Sequence, residues 1–133
     1  MTRMIVYTDG ASRGNPGAAS IGAAIYAEEG GEVIGEVSEA IGHATNNVAE
    51  YKAVIAGLAE AQRLGATEVE LRADSLLLVR QLTGEYRVKA PGLKPLAAQA
   101  TRLLRGFEST TIVHVRREFN EVADALANAA LDR

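Results

Sequence analysis

The 133-residue chain contains no cysteine and no tryptophan, and only two histidines, two methionines, two phenylalanines and three prolines. Without cysteine there is neither a disulfide nor a thiolate metal site, and His43 and His114 are too few for a zinc site built from imidazoles. Any metal must therefore be held by oxygen. No apolar run approaches the roughly 20 residues of a membrane span, and the short N-terminal apolar run meets an acid at Asp9, unlike a secretory leader. No membrane partner is expected, and the expected location is the cytoplasm. Fourteen Lys and Arg against 17 Asp and Glu give a net charge of -3. That balance argues against tight, indiscriminate nucleic-acid binding, which depends on cations neutralising phosphates, but it leaves room for a local basic patch.

What is present is an ordinary globular composition, 47% apolar, in a chain long enough to bury one core. Neither repeats nor a linker interrupt it, so residues 1–133 are expected to form a single domain, compatible with being the N-terminal domain of a longer protein. The stretches MIVYTD, AASIGAAIYAE and GEVIGEVSEAI alternate as strands, with a turn at Glu29-Gly30-Gly31. The segment ATNNVAEYKAVIAGLAEAQRLG places Val48, Tyr51, Ile55 and Leu58 at helical spacing and stops at Gly65. TEVELRAD reads as a strand, and SLLLVRQLTG as a short helix capped by Ser75. GEYRVKAPGLKP reads as a loop, LAAQATRLLRGF as a helix and TTIVHVR as a strand. A final helix, FNEVADALANAALD, carries Phe119, Val122, Leu126 and Ala130 on one face. Three strands joined by short turns, then strands reached through helices, predict an α/β domain with a mixed sheet.

Two acids close apolar strands: Asp9, before the glycine-rich GASRGNPG, and Asp74. On parallel neighbouring strands both would project from the sheet edge where open α/β folds place ligands. Glu50, at the flank of its helix's apolar stripe over Val54 and Gly57, and Asp124, one turn after Asn120, can join them. Four converging carboxylates repel one another unless a cation is present. Hard Mg²⁺ or Mn²⁺ suits such oxygen donors, and two such ions about 3.5–4 Å apart can drive in-line phosphodiester hydrolysis. Taken singly, an Asp after a strand serves equally well as a turn former or helix cap, and Glu50 and Asp124 as members of solvated helix faces. Spacing alone leaves both readings open.

Four segments in this order, YTDGASRGNPG, ATNNVAEY, LRADS and REFNEVADALAN, resemble the motifs of the type 1 ribonuclease H family, in particular its compact bacterial and archaeal branch. The resemblance covers essentially the whole chain. It implies a five-stranded mixed sheet and an endonuclease that cuts the RNA strand of RNA/DNA hybrids with two Mg²⁺ or Mn²⁺ ions, leaving 5′-phosphate and 3′-hydroxyl ends. It implies Asp9, Glu50, Asp74 and Asp124 as metal ligands and catalytic residues. Around them it implies substrate contacts from Gly10 and Asn15 in the glycine-rich loop, from Thr45, Asn46 and Asn47 at a helix N-terminus, and from Ser75. Double-stranded RNA is a second candidate substrate. The missing Gly-Lys-Ser/Thr ending excludes a nucleotide-binding P-loop.

Two departures from the family follow. A histidine in the loop before the last acid is replaced by Arg116 and Arg117. Arg117 is expected to act as a phosphate clamp, because a guanidinium does not deprotonate, with Arg116 as a further substrate contact. Asn120 is expected to orient Asp124 or a phosphate. His114 is expected to be structural. The tryptophan-bearing basic protrusion is also absent, and GEYRVKAPGLKP, with Lys89, Arg87, Lys94 and Tyr86, is expected to follow the DNA strand. A monomer is expected, and a second domain after residue 133 is compatible with the resemblance. Two rivals remain at this stage: a non-catalytic module binding hybrid or double-stranded RNA on the same fold, and a resolvase- or integrase-type nuclease.

Overall fold

The computed structural model describes residues 2–133. In chain order it contains β1 (Arg3–Arg13), β2 (Gly17–Tyr26), β3 (Val33–Ala44), α1 (Asn46–Arg63), β4 (Glu68–Ala73), α2 (Leu76–Leu82), α3 (Lys94–Arg105) and β5 (Ser109–His114). A 3₁₀ turn (Arg117–Phe119) then leads into α4 (Glu121–Asp132). The strands form one sheet in the order β3-β2-β1-β4-β5. Short turns make β1, β2 and β3 antiparallel, whereas the helical crossovers return β4 and β5 parallel to β1. This is the five-stranded mixed α/β fold expected from the sequence.

β1 differs from its expected length. It does not break after Asp9: β2 pairs with it as far as Arg13 opposite Ala18. Only Gly14, Asn15 and Pro16 make the turn. A hairpin partner satisfies the backbone of Gly10–Arg13, so a glycine-rich stretch that reads as a loop becomes strand.

The buried faces of two helices also differ from the predicted stripes, for one shared reason. In α1, Tyr51 and Leu58 are buried as expected, but so are Ala53, Val54, Gly57 and Ala61. The helix lies between the sheet and α3, where Ile55 borders Gln99 and Leu103. Its buried arc is therefore wide, and on the sheet side it is made of small residues. Gly57 marks one close point, where a Cβ would sit 3.0 Å from methyls of both Val6 and Thr8.

In α4 the buried residues are Ala123, Ala127 and Ala130, while Phe119 is 68% exposed and Val122 is 44% exposed. Of the expected Phe119–Val122–Leu126–Ala130 face, Ala130 is buried and Leu126 half-buried, but the two residues at its start are exposed. α4 instead presses its backbone onto β2 at Gly22, where a Cβ would collide with the Ala123 carbonyl and lie 2.6 Å from the Ala127 amide nitrogen. Ser20 Oγ donates to the Ala127 carbonyl at 2.5 Å and Ser38 Oγ to that of Leu126 at 2.6 Å. Contact this close admits only alanine, which weighs little in a hydrophobicity pattern. Gly22→Ala is accordingly expected to destabilise the fold by roughly 1–3 kcal/mol, the range for overpacking; an unchanged urea midpoint would refute this placement of α4.

Candidate metal centre

The acids meet because β4 is shorter than β1. The parallel register ends at Thr8 opposite Ala73, so Asp74 leaves its strand just where Asp9 emerges on β1. On the far side Asp9 pairs with Gly22 of β2, which fixes its backbone beyond the end of β4. Glu50 arrives from α1, and Gly10 sets the approach: a Cβ there would collide with the backbone of Ala49 and Glu50. Gly10, expected as a substrate contact, is thus buried under α1 and works by letting the helix in. Carboxylate oxygens of Asp9, Glu50 and Asp74 lie within 4.8 Å of one another. Asp124, from the first turn of α4, joins through a hydrogen bond to Asp9.

Crowding changes their protonation. Burial raises the Asp9 pKa most, the proton shared with Asp124 raises it further, and the charges of Asp74, Glu50 and Asp124 add to that. Glu50 is pushed up to about 7, chiefly by burial and then by the charge of Asp74, against a hydrogen bond from Ser75 and the positive charge of Arg117. A set of hard oxygen donors that resists its own ionisation fits a small divalent cation such as Mg²⁺ or Mn²⁺.

The surroundings hold these acids in place. Asn120 is 1% exposed, and its Nδ2 donates to the Thr8 carbonyl at 2.9 Å and to Asp74 Oδ2 at 2.8 Å. This corrects the sequence expectation: Asn120 positions Asp74 rather than Asp124, and its burial keeps it from a phosphate. Ser75 Oγ accepts the Leu78 N–H at 3.2 Å, capping α2 as expected, and also hydrogen-bonds Glu50. At the N-terminus of α1, Thr45 Oγ1 accepts the Val48 N–H at 3.2 Å. Asn15, at a φ of 28° in the left-handed region that Asn tolerates, accepts the Asn46 N–H with Oδ1 at 2.9 Å and ties the hairpin tip to the helix. Asn47 is exposed beside them.

A cleft of about 270 Å³ gathers Asp9, Glu50, Asp74 and Asp124 with Gly10, Asn46 and Arg117. Arg116 is not among its walls; it is 79% exposed and lies 3.9 Å from Glu118. Lys89 is exposed on the segment between α2 and α3, outside the cleft. His114 is exposed, with Nε2 3.3 Å from the Asp74 carbonyl oxygen. Sequence reasoning overlooked Ser12, Arg13 and Asn128, which complete the cleft. The only signal for the last two was spacing, Arg13 four residues after Asp9 in a strand and Asn128 four after Asp124 in a helix. A hollow of similar size, about 280 Å³, is walled by Tyr7, Tyr26, Phe119 and Val122 with Glu28, Glu29, Glu118 and Glu121. Among the described residues those glutamates do not converge at ligand spacing as the cleft acids do.

A sequence-family profile described as "Reverse transcriptase-like" matches residues 7–130. The Ribonuclease HI of Halobacterium salinarum is 48% identical over 98% of this chain and 65% of its own length. The crystal structure of RNase H1 from the same organism superimposes with a TM-score of 0.94, covering 98% of both chains at 48% identity. The Bifunctional protein Rv2228c of Mycobacterium tuberculosis is 45% identical over 98% of this chain and 36% of its own length. The chain therefore spans less than two thirds of either curated relative. LC11-RNase H1, solved in complex with an RNA/DNA hybrid, matches with a TM-score of 0.91 at 45% identity over 97% of this chain and 96% of that one.

The raised carboxyl pKa values make metal-free stability depend on pH. Above the ordinary carboxylate pKa of about 4, the folded chain binds more protons at Asp9 and Glu50 than the unfolded chain does. This stability is complete at low pH and is lost as pH rises through the folded-state values, about 7 for Glu50 and raised for Asp9. The melting temperature in EDTA is expected to fall between pH 5 and pH 8, with Mg²⁺ restoring most at the upper end. Asp9→Asn should flatten the slope and raise the melting temperature at pH 8. Scanning calorimetry at constant ionic strength checks both; a flat wild-type profile would contradict the crowding.

Proposed function

Because the chain belongs to the ribonuclease H family, we propose that it is an endonuclease hydrolysing the RNA strand of RNA/DNA hybrids and leaving 5′-phosphate and 3′-hydroxyl ends. The observation that carries this reading is the convergence of Asp9, Glu50 and Asp74 within 4.8 Å, with Asp124 bonded to Asp9. That a relative at 45% identity was solved with an RNA/DNA hybrid supports the substrate class. These four acids would hold two Mg²⁺ or Mn²⁺ ions, which when bound supply a polarised phosphate and a water that ionises near neutral pH.

The chain's own residues prepare the site. Asn120 locks Asp74 in one rotamer through two N–H bonds, one to the carboxylate and one to the β1 backbone. The Ser75 hydroxyl hydrogen-bonds Glu50 and favours its charged form. Asp9 sits one residue beyond the end of the β4 pairing, with its backbone paired to Gly22 of β2, so its carboxylate is placed beside Asp74 and the negative charge is organised before substrate arrives. Arg117, permanently charged and facing Glu50, clamps a phosphate rather than abstracting a proton. The α1 N-terminus, with Thr45, Asn46 and Asn47, presents short polar side chains suited to the RNA 2′-hydroxyl. Lys89, with Arg87 and Lys94, offers the DNA strand cations outside the cleft.

In an assay on labelled hybrid, double-stranded RNA and double-stranded DNA with Mg²⁺, Mn²⁺ or EDTA, metal-dependent cutting of the hybrid's RNA strand is expected. Asp9→Asn or Asp74→Asn should lower turnover by at least about 10²–10³-fold, the scale for losing one charge-stabilising group, with hybrid binding retained. Wild-type turnover in either variant would overturn the assignment, and binding without cutting under any metal would mark the chain as a non-catalytic hybrid binder.

A further inference from the structure

We propose that Arg13 is a phosphate-binding residue of this cleft, held by Asp132 until a substrate phosphate competes for it; the proposal rests on the ribonuclease H reading of the site. β1 and α4 run alongside one another with matched repeats. On the strand, alternation puts Asp9, Ala11 and Arg13 on one face. On the helix, Asp124, Asn128 and Asp132 recur every four residues and share a side. Four strand residues advance about 13 Å at roughly 3.3 Å each, and eight helical residues about 12 Å at 1.5 Å each. The two rows stay in step from end to end. Their near ends meet in the Asp9–Asp124 hydrogen bond, and their far ends in the ion pair from Arg13 Nη2 to Asp132 Oδ1 at 2.8 Å. Ala11 and Asn128 line the cleft between them.

Charge gives the far end its function. The cleft walls carry four carboxylates and two cations, Arg13 and Arg117. Arg117 serves the acid end, where its charge acts on Glu50. Arg13, four strand residues from Asp9, is placed for a phosphate farther along the strand from the one being cut. Its side chain is 50% exposed and that of Asp132 is 63% exposed, and an ion pair this open to water is weak. One nitrogen of the guanidinium engages one oxygen of Asp132, and the planar fork matches the bidentate geometry of a phosphate. Asp132 keeps the guanidinium over the cleft and competes with the substrate for it.

This assignment predicts opposite effects from breaking one ion pair at its two ends. The measurement is equilibrium binding of a fluorescent RNA/DNA hybrid in EDTA, repeated over a series of salt concentrations, with melting temperatures alongside. Arg13→Ala is expected to weaken binding several-fold and to reduce the slope of log K against log[salt] by about 1, one phosphate contact. Arg13→Lys should keep the slope. Asp132→Asn, which frees the arginine, should tighten binding. If Arg13→Ala and Asp132→Asn lower the melting temperature alike and shift binding in the same direction or not at all, the pair is a tether between β1 and α4 and the proposal fails alone. If the wild-type chain neither binds nor cuts the hybrid, the ribonuclease H reading fails and takes this one with it.

Discussion

Mutual repulsion among Asp9, Glu50 and Asp74 is the constraint around which the rest of the structure is arranged. Left to themselves, three carboxylates within 4.8 Å would turn outward to water, because separated charges are better solvated than crowded ones. Here each is prevented from doing so by a different element. β2 holds the backbone of Asp9 through its pairing with Gly22, Asn120 reaches from the entrance of α4 to pin Asp74, and Ser75 at the cap of α2 hydrogen-bonds Glu50. The raised pKa values of Asp9 and Glu50 record first the burial of these carboxyls and then the charges of their neighbours. A divalent cation bound among them would offset the cost of that crowding.

Holding acids this near requires that backbones come near first, and small residues make that possible. Gly10 lets α1 close on β1 beside Glu50, and Gly57 lets the same helix lie on Val6 and Thr8. Gly22 lets α4 bring Asp124 over β2. The alanines of α4 then fill the interface with little side-chain volume, and Ser20 and Ser38 secure it through backbone carbonyls. The geometry of the site is therefore inherited from close helix–sheet contacts some distance from any carboxylate.

This explains where the sequence pattern was legible and where it misled. Phe119, Val122 and Leu126 look like the buried stripe of the last helix because large apolar residues dominate any hydrophobic periodicity. Yet Phe119 sits in the 3₁₀ turn and faces solvent, while Ala123, Ala127 and Ala130 are buried. The same weighting set the apparent axis of α1 on Val48 and Ile55, one side of a helix buried on two, and so placed Glu50 at a flank. The GASRGNPG stretch reads as loop from composition, but pairing with β2 makes most of it strand and brings Arg13 alongside α4. Asn120 is identifiable as a polar residue one turn before Asp124, yet its actual partner, Asp74, lies 46 residues away in the chain.

By itself the sequence determined the order and type of the elements, the mixed sheet and the oxygen-only character of any metal site, and it singled out four acids as candidates, because each of these is written in local composition or in short motifs. Only the tertiary structure decided which acids touch, which of them hold protons, that Asn120 serves Asp74, and that Arg13 and Asp132 meet at the far end of a strand and helix running in step. Those relations depend on register between segments distant in sequence and on contacts set by the absence of side chains. No periodicity or motif encodes either, since both are properties of pairs of elements that exist only once the chain has folded.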